Sequence, residues 1–87
     1  MIVKLTGRID STNASTIEEA INKEINGFSG EVILDASNLE YISSAGLRVI
    51  LRLKKTNSDT KVINCSLDNY GIFDMTGFTE MMELHKA

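Results

Sequence analysis

The residues best placed to do chemistry are the hydroxyls of Ile42-Ser43-Ser44-Ala45-Gly46-Leu47, two consecutive serines followed by two small residues. Serine as a nucleophile needs a base within reach. The chain has one histidine, His85 near its C-terminus, and no G-x-S-x-G elbow surrounds Ser44. Catalysis by Ser44 is therefore not expected, and neither a phosphate-binding loop nor a dinucleotide fingerprint is present. Two roles remain open. A serine before a helix caps it, because its Oγ accepts a bond from an N–H of the first turn. The same helix end also tolerates a phosphoryl group, since its N–H groups are unpaired and its dipole is positive there. Ala45 and Gly46 would leave such a hydroxyl uncrowded. A phosphoryl group adds about −1.5 to −2 charges. If that surface must be desolvated against a partner, the unmatched charge costs several kcal/mol, about tenfold in affinity for each ~1.4 kcal/mol.

Other candidate groups are few. Asp10 lies in the turn-rich run Ile9-Asp10-Ser11-Thr12-Asn13, where it can cap a turn or serve a site. Cys65 is the sole cysteine, so it forms no internal disulfide; it fits a reducing compartment and reads as a small buried apolar residue. His85 has no second ligand at metal spacing, and neither a metal nor a cofactor is expected. Met75, Met81 and Met82 read as gap-filling core. Nine basic against twelve acidic residues, net charge −3, supply no basic patch for nucleic acid. No apolar run nears the ~20 residues that span a bilayer. A secretory leader is not evident, and a cytoplasmic location without membrane insertion is expected.

These residues must be positioned by a single domain of residues 1–87, for which the periodicity predicts β-α-β-α-β-α-β. Met1 to Thr6 alternates as a strand ended by Gly7. Ala14, Ile17, Ile21 and Ile25 share one helical face, and Asn26-Gly27 ends that helix. Glu31 to Asp35 is apolar on both faces and suits a central strand covered above and below. Ala36 to Leu39 reads as a loop. A second helix runs from Ser44 to Thr56, with Leu47, Ile50 and Leu51 inward and Arg48, Arg52 and Lys55 outward. Thr60 to Asn64 is a strand, and Ser66 caps a short helix from Leu67 to Met75 with Gly77 just past its end. Glu80 to Leu84 is a last strand or an irregular tail. The alternation calls for an α/β sheet with several parallel pairs.

Three blocks resemble one family. Leu39 to Val49 is similar to the signature of STAS domains of the anti-sigma factor antagonist type: apolar, Asp or Ser, Ser, small, Gly, Leu. Leu5-Thr6-Gly7-Arg8-Ile9-Asp10 resembles the family's apolar-x-Gly-x-apolar-Asp segment, and Phe73 to Phe78 its C-terminal Ser/Thr-Gly-apolar phrase. The resemblance implies a STAS-like α/β fold, a four- or five-stranded mixed sheet packed by helices on one side, with the leading strand of longer members absent or partial. It also implies a non-enzymatic regulator, free of cofactors, that binds a serine kinase doubling as an anti-sigma factor. That kinase would phosphorylate Ser44, and a PP2C-type phosphatase would restore the binding form. The partner-binding surface implied is Asp10, Ser11 and Thr12 with Ser43, Ser44, Ala45, Gly46 and Arg48. Ser43 stands where the family often has Asp, which removes a negative charge and makes Ser43 an alternative acceptor. The resemblance leaves other roles open. One is a STAS subunit of a lipid-transport ABC complex, or the tail of an anion transporter. Another is a regulator of a diguanylate cyclase or a phosphatase pathway.

Overall fold

The computed structural model describes residues 1–87. The elements are β1 (Ile2–Ile9), α1 (Ala14–Ile25), β2 (Val32–Ile42), α2 (Ser44–Thr56), β3 (Thr60–Cys65), α3 (Leu67–Met75), α4 (Phe78–Met81) and β4 (Glu83–Lys86). The sheet runs in the order β1-β2-β3-β4, and each neighbouring pair is parallel. Parallel neighbours need crossovers, and right-handed crossovers that always step the same way place every helix on one face. Burial agrees. Val3, Leu5 and Ile9 of β1 are buried while Ile2, Lys4 and Thr6 are exposed. The row Val3–Leu34–Val62–Leu84 runs across the sheet on the helix side, and Ile2–Ile33–Lys61–Glu83 runs beside it on the open side.

The core lies between sheet and helices. Ile21 and Ile25 of α1, Leu47, Ile50 and Leu53 of α2 and Phe73 of α3 close over the buried strand residues. Phe73 meets Phe78 of α4 edge to face, with ring centroids 5.6 Å apart. That pair anchors the C-terminal helices to the sheet, a geometry worth about 0.5–1.5 kcal/mol beyond area burial. Arg52 of α2 grips Glu18 of α1 through two bonds of 2.7 and 2.9 Å, so one cation of the outward stripe is committed within the fold.

Several expectations give way. The sheet has four strands and is parallel throughout rather than mixed. β1 passes through Gly7 instead of ending there: at φ 67° the glycine adopts a left-handed conformation opposite an irregular stretch of β2. Ala36 to Leu39 is strand rather than loop. β1 keeps pairing with it (Thr6 with Asn38, Gly7 with Leu39), and β2 absorbs two extra residues as bulges. The Ser37 N–H released at the first bulge donates to Asp35 Oδ1 at 3.0 Å. The central strand is covered on one face only, for Ile33 and Asp35 stay half-exposed. The last strand begins at Glu83, after a short helix. Of the three methionines assigned to the core, only Met82 is buried; Met75 and Met81 face solvent. Cys65 is buried as expected.

β2 outruns β3, whose pairing stops at Asp35–Ile63. Two asparagine side chains bond to β2 around and beyond this point, one to a side chain and one to a backbone carbonyl. Asn64, at φ 59°, donates to Asp35 Oδ1 at 3.1 Å, and the buried Asn69 donates from Nδ2 to the Leu39 carbonyl at 3.1 Å.

Candidate functional site

β1 and β2 end side by side, which brings the two informative segments of the sequence together. Ile9 pairs with Ile42, and the Ser43 N–H donates to the Ile9 carbonyl at 2.9 Å. The Asp10–Asn13 turn and the start of α2 are thus neighbours at the carboxyl ends of parallel strands. Open α/β sheets offer their binding crevices at that end.

The two serines divide the work. Ser43 is the N-cap of α2, in extended conformation and half-buried; its carbonyl accepts the Leu47 N–H at 2.9 Å. Its Oγ accepts from the Gly46 N–H at 3.5 Å, longer than the usual ~3 Å, so the side-chain cap is weak. Ser44 is the first helical residue, exposed, and its Oγ makes no hydrogen bond within the protein. The freer hydroxyl is therefore Ser44, with the capping role falling to Ser43. Gly46 is buried. A Cβ there would lie 2.6 Å from Ile42 Cγ1 and 2.8 Å from Ile9 Cγ2. The glycine lets the first turn of α2 settle onto the ends of β1 and β2, and that contact sets where Ser44 stands.

Asp10 folds the neighbouring turn around itself. Its Oδ1 accepts the Thr12 hydroxyl at 2.5 Å and the Thr12 N–H at 3.0 Å, while its carbonyl accepts the N–H groups of Asn13 and Ala14. Asn13 reciprocates: its Oδ1 accepts the Asp10 N–H at 2.9 Å and its Nδ2 donates to the Arg8 carbonyl at 2.7 Å. The Thr12 hydroxyl, then the Thr12 N–H and the Arg8 cation, hold the Asp10 carboxyl below its ordinary value. Both turn bonds fall on Oδ1, so Oδ2 remains an ionised acceptor open to another molecule. Ser11 and Thr12 are exposed beside it.

Two features escaped sequence reasoning. Arg8 lies over the ring of Tyr41, 4.6 Å from its centroid, on the open face at this same end. Only the Arg8–Tyr41 register brings them together, so no local spacing announces the pair. Beside Ser44 a hollow of about 200 Å³ runs between α2 and the C-terminal helices, lined by Ser44, Leu47, Arg48, Leu51, Thr76 and Phe78. Arg48 is exposed there, one turn beyond Ser44, and is paired with no carboxylate. The largest hollow, about 670 Å³, lies at the opposite end among Asn22, Asn26, Phe28 and Asn57, far from these groups. A side-chain cluster with metal-ligating composition is not found. No helix is long and apolar enough to cross a membrane.

Comparisons with known proteins bear on the family and the fold. A model of the STAS domain matches residues 1–87. BtrV of Bordetella bronchiseptica, named as an anti-sigma factor antagonist, is 33% identical over 82 residues, covering 90% of this chain and 71% of that protein. Among solved structures, one from Thermotoga maritima named as an anti-sigma factor antagonist superposes with a TM-score of 0.86 at 18% identity, over 99% of this chain and 80% of the other. The unphosphorylated anti-sigma factor antagonist SpoIIAA gives 0.78 at 20% identity, over 95% and 76%. A sulfate transporter family protein from Wolinella succinogenes gives 0.80 at 15% identity, over 97% and 74%. The chain belongs to the STAS domain family.

Proposed function

Taking STAS membership as the premise, we propose that this domain is a phosphorylation-switched anti-sigma factor antagonist acting by binding rather than catalysis. With Ser44 unmodified, the surface of Asp10, Ser11, Thr12, Ser44, Ala45 and Arg48 engages a serine kinase that doubles as an anti-sigma factor. The observation that carries this reading is the exposed, unbonded Ser44 hydroxyl on the first helical residue of α2, beside the ionised Asp10 turn. The relationship to BtrV supports the antagonist role.

Transfer of a phosphoryl group from the kinase's nucleotide to Ser44 Oγ forms the phosphoester and releases the nucleoside diphosphate. The group is tolerated at the helix N-terminus, so the fold survives. Against a docked partner the added charge must be desolvated next to Asp10, and the complex separates. Hydrolysis by a PP2C-type phosphatase restores the free hydroxyl. All of this takes place in the cytoplasm, without nucleic acid.

The test is peptide mass spectrometry on protein from its native cell, followed by binding of variants to the captured kinase. A phosphatase-sensitive phosphoryl group on Ser44 is expected, with Ser44→Ala binding constitutively and Ser44→Asp binding weakly. Equal affinity of the two variants removes the switch. Absence of phosphate under every growth condition moves the assignment to a constitutive binding subunit, as in a lipid-transport complex. Phosphate found on Ser43 instead moves the acceptor by one residue.

A further inference from the structure

Helix α3 has an outward face that the monomer does not explain. Its inner side is anchored by Asn69 and Phe73, both buried. On the helical wheel the opposite direction is occupied by Leu67, Gly71 and Met75, spaced i, i+4, i+8. Leu67 is 76% and Met75 88% exposed, and Met81 of α4 is exposed nearby in the chain. Two large apolar side chains are thus held in water by one short helix.

Gly71 sits between them with no structural reason to be glycine. Its φ is not left-handed, and a Cβ built there meets nothing within 4 Å. Glycine within a helix lowers stability relative to alanine. Gly46 is the contrast, since its neighbours leave a Cβ no room. The missing side chain at Gly71 opens a hole in the helix surface, walled by Leu67 and Met75. Such a hole receives a knob from another helix and lets two backbones approach closely.

Charge identifies the kind of partner. Asp68 and Asp74 are exposed on either flank of this stripe, and Glu80 is exposed on α4. Neither helix contains a lysine or an arginine. A second copy of this chain docking α3 on α3 would bring Asp68 and Asp74 against themselves, which like-charge repulsion disfavours. We propose that the Leu67–Gly71–Met75 face of α3 is a docking surface for an amphipathic helix of a partner protein, with an apolar ridge seated over Gly71 and basic residues on both flanks. This surface does not rest on the Ser44 switch. Thr76, the residue after Met75, lines the hollow beside Ser44, so one partner can reach both.

The experiment titrates the ¹⁵N-labelled full chain with two synthetic helical peptides that share a leucine ridge, one flanked by arginine and the other by glutamate. The arginine-flanked peptide is expected to shift the amides of Leu67, Gly71 and Met75, and the glutamate-flanked one to leave them in place. Ser44→Asp should not alter this result, which separates the inference from the switch. Gly71→Ala should raise the melting temperature by about 4–8 °C, as for removing a helical glycine from a domain of this size, yet weaken the peptide several-fold. Met75→Lys should weaken it further while keeping the fold. Equal shifts from the two peptides, shifts confined to other elements, no shifts, or a lower melting temperature for Gly71→Ala would each overturn the proposal.

Discussion

Replacing Gly46 by alanine tests whether the start of α2 is held by close approach to the sheet. The added methyl would lie 2.6 Å from Ile42 Cγ1, 2.8 Å from Ile9 Cγ2 and 3.2 Å from Ile42 Cδ1. Carbon atoms pack best at about 3.5–4.0 Å, so the first two contacts are too short by roughly an ångström. Ile9 and Ile42 are both buried in the core, and neither can swing into solvent to make room. Overpacking of this kind costs about 1–3 kcal/mol. Alanine recovers at most about 1 kcal/mol through helix propensity, less in a first turn. The net expectation is a loss of about 1–2 kcal/mol, read as a fall in melting temperature of roughly 5–15 °C. Urea unfolding should show a lower midpoint at an unchanged slope, because the surface exposed on unfolding hardly changes. The shifted helix should also stretch the 2.9 Å bond from Ser43 N to the Ile9 carbonyl, visible as faster amide exchange at Ser43. Wild-type or higher stability for Gly46→Ala would refute the close-approach argument and leave Gly46 and Gly71 equivalent, against the opposite signs expected of them.

Two further outcomes follow from buried groups. Asn69→Ala should destabilise by about 1–3 kcal/mol in urea titrations, since it strips the Leu39 carbonyl of its partner where β3 has left β2; an unchanged midpoint would mean that another donor reaches that carbonyl. Burial pushes the Cys65 thiol up to about 11, so in native protein at pH 8 it should react with a thiol reagent far more slowly than in urea, with the rate still rising above pH 10. Rapid native modification at pH 8 would contradict the buried placement.

Local spacing in the chain determined much of this protein. The limits of α2, Ser44 to Thr56, follow from the helical period of Leu47, Ile50 and Leu51 and from the caps at either end. The end of α3 follows from Gly77, which adopts φ 80° two residues past Met75. The strand–helix alternation implies an α/β sheet with several parallel pairs, and the blocks at Leu5–Asp10, Leu39–Val49 and Phe73–Phe78 mark the family. Such signals are carried by residues a few positions apart, where helix and strand periods act. What remained depends on residues distant in sequence. Ala36 to Leu39 has loop-like composition, yet it is strand because β1 lies alongside and Asn69, 30 residues away, holds its last carbonyl. Met75 and Met81 have core-like chemistry, but Met75 falls on the side of α3 opposite the buried Asn69 and Phe73, and both methionines face solvent. Ser43 and Ser44 are alike in the sequence. Only the bond from Ser43 N to the Ile9 carbonyl, and the seat that Gly46 takes between Ile9 and Ile42, make one the cap and leave the other hydroxyl free.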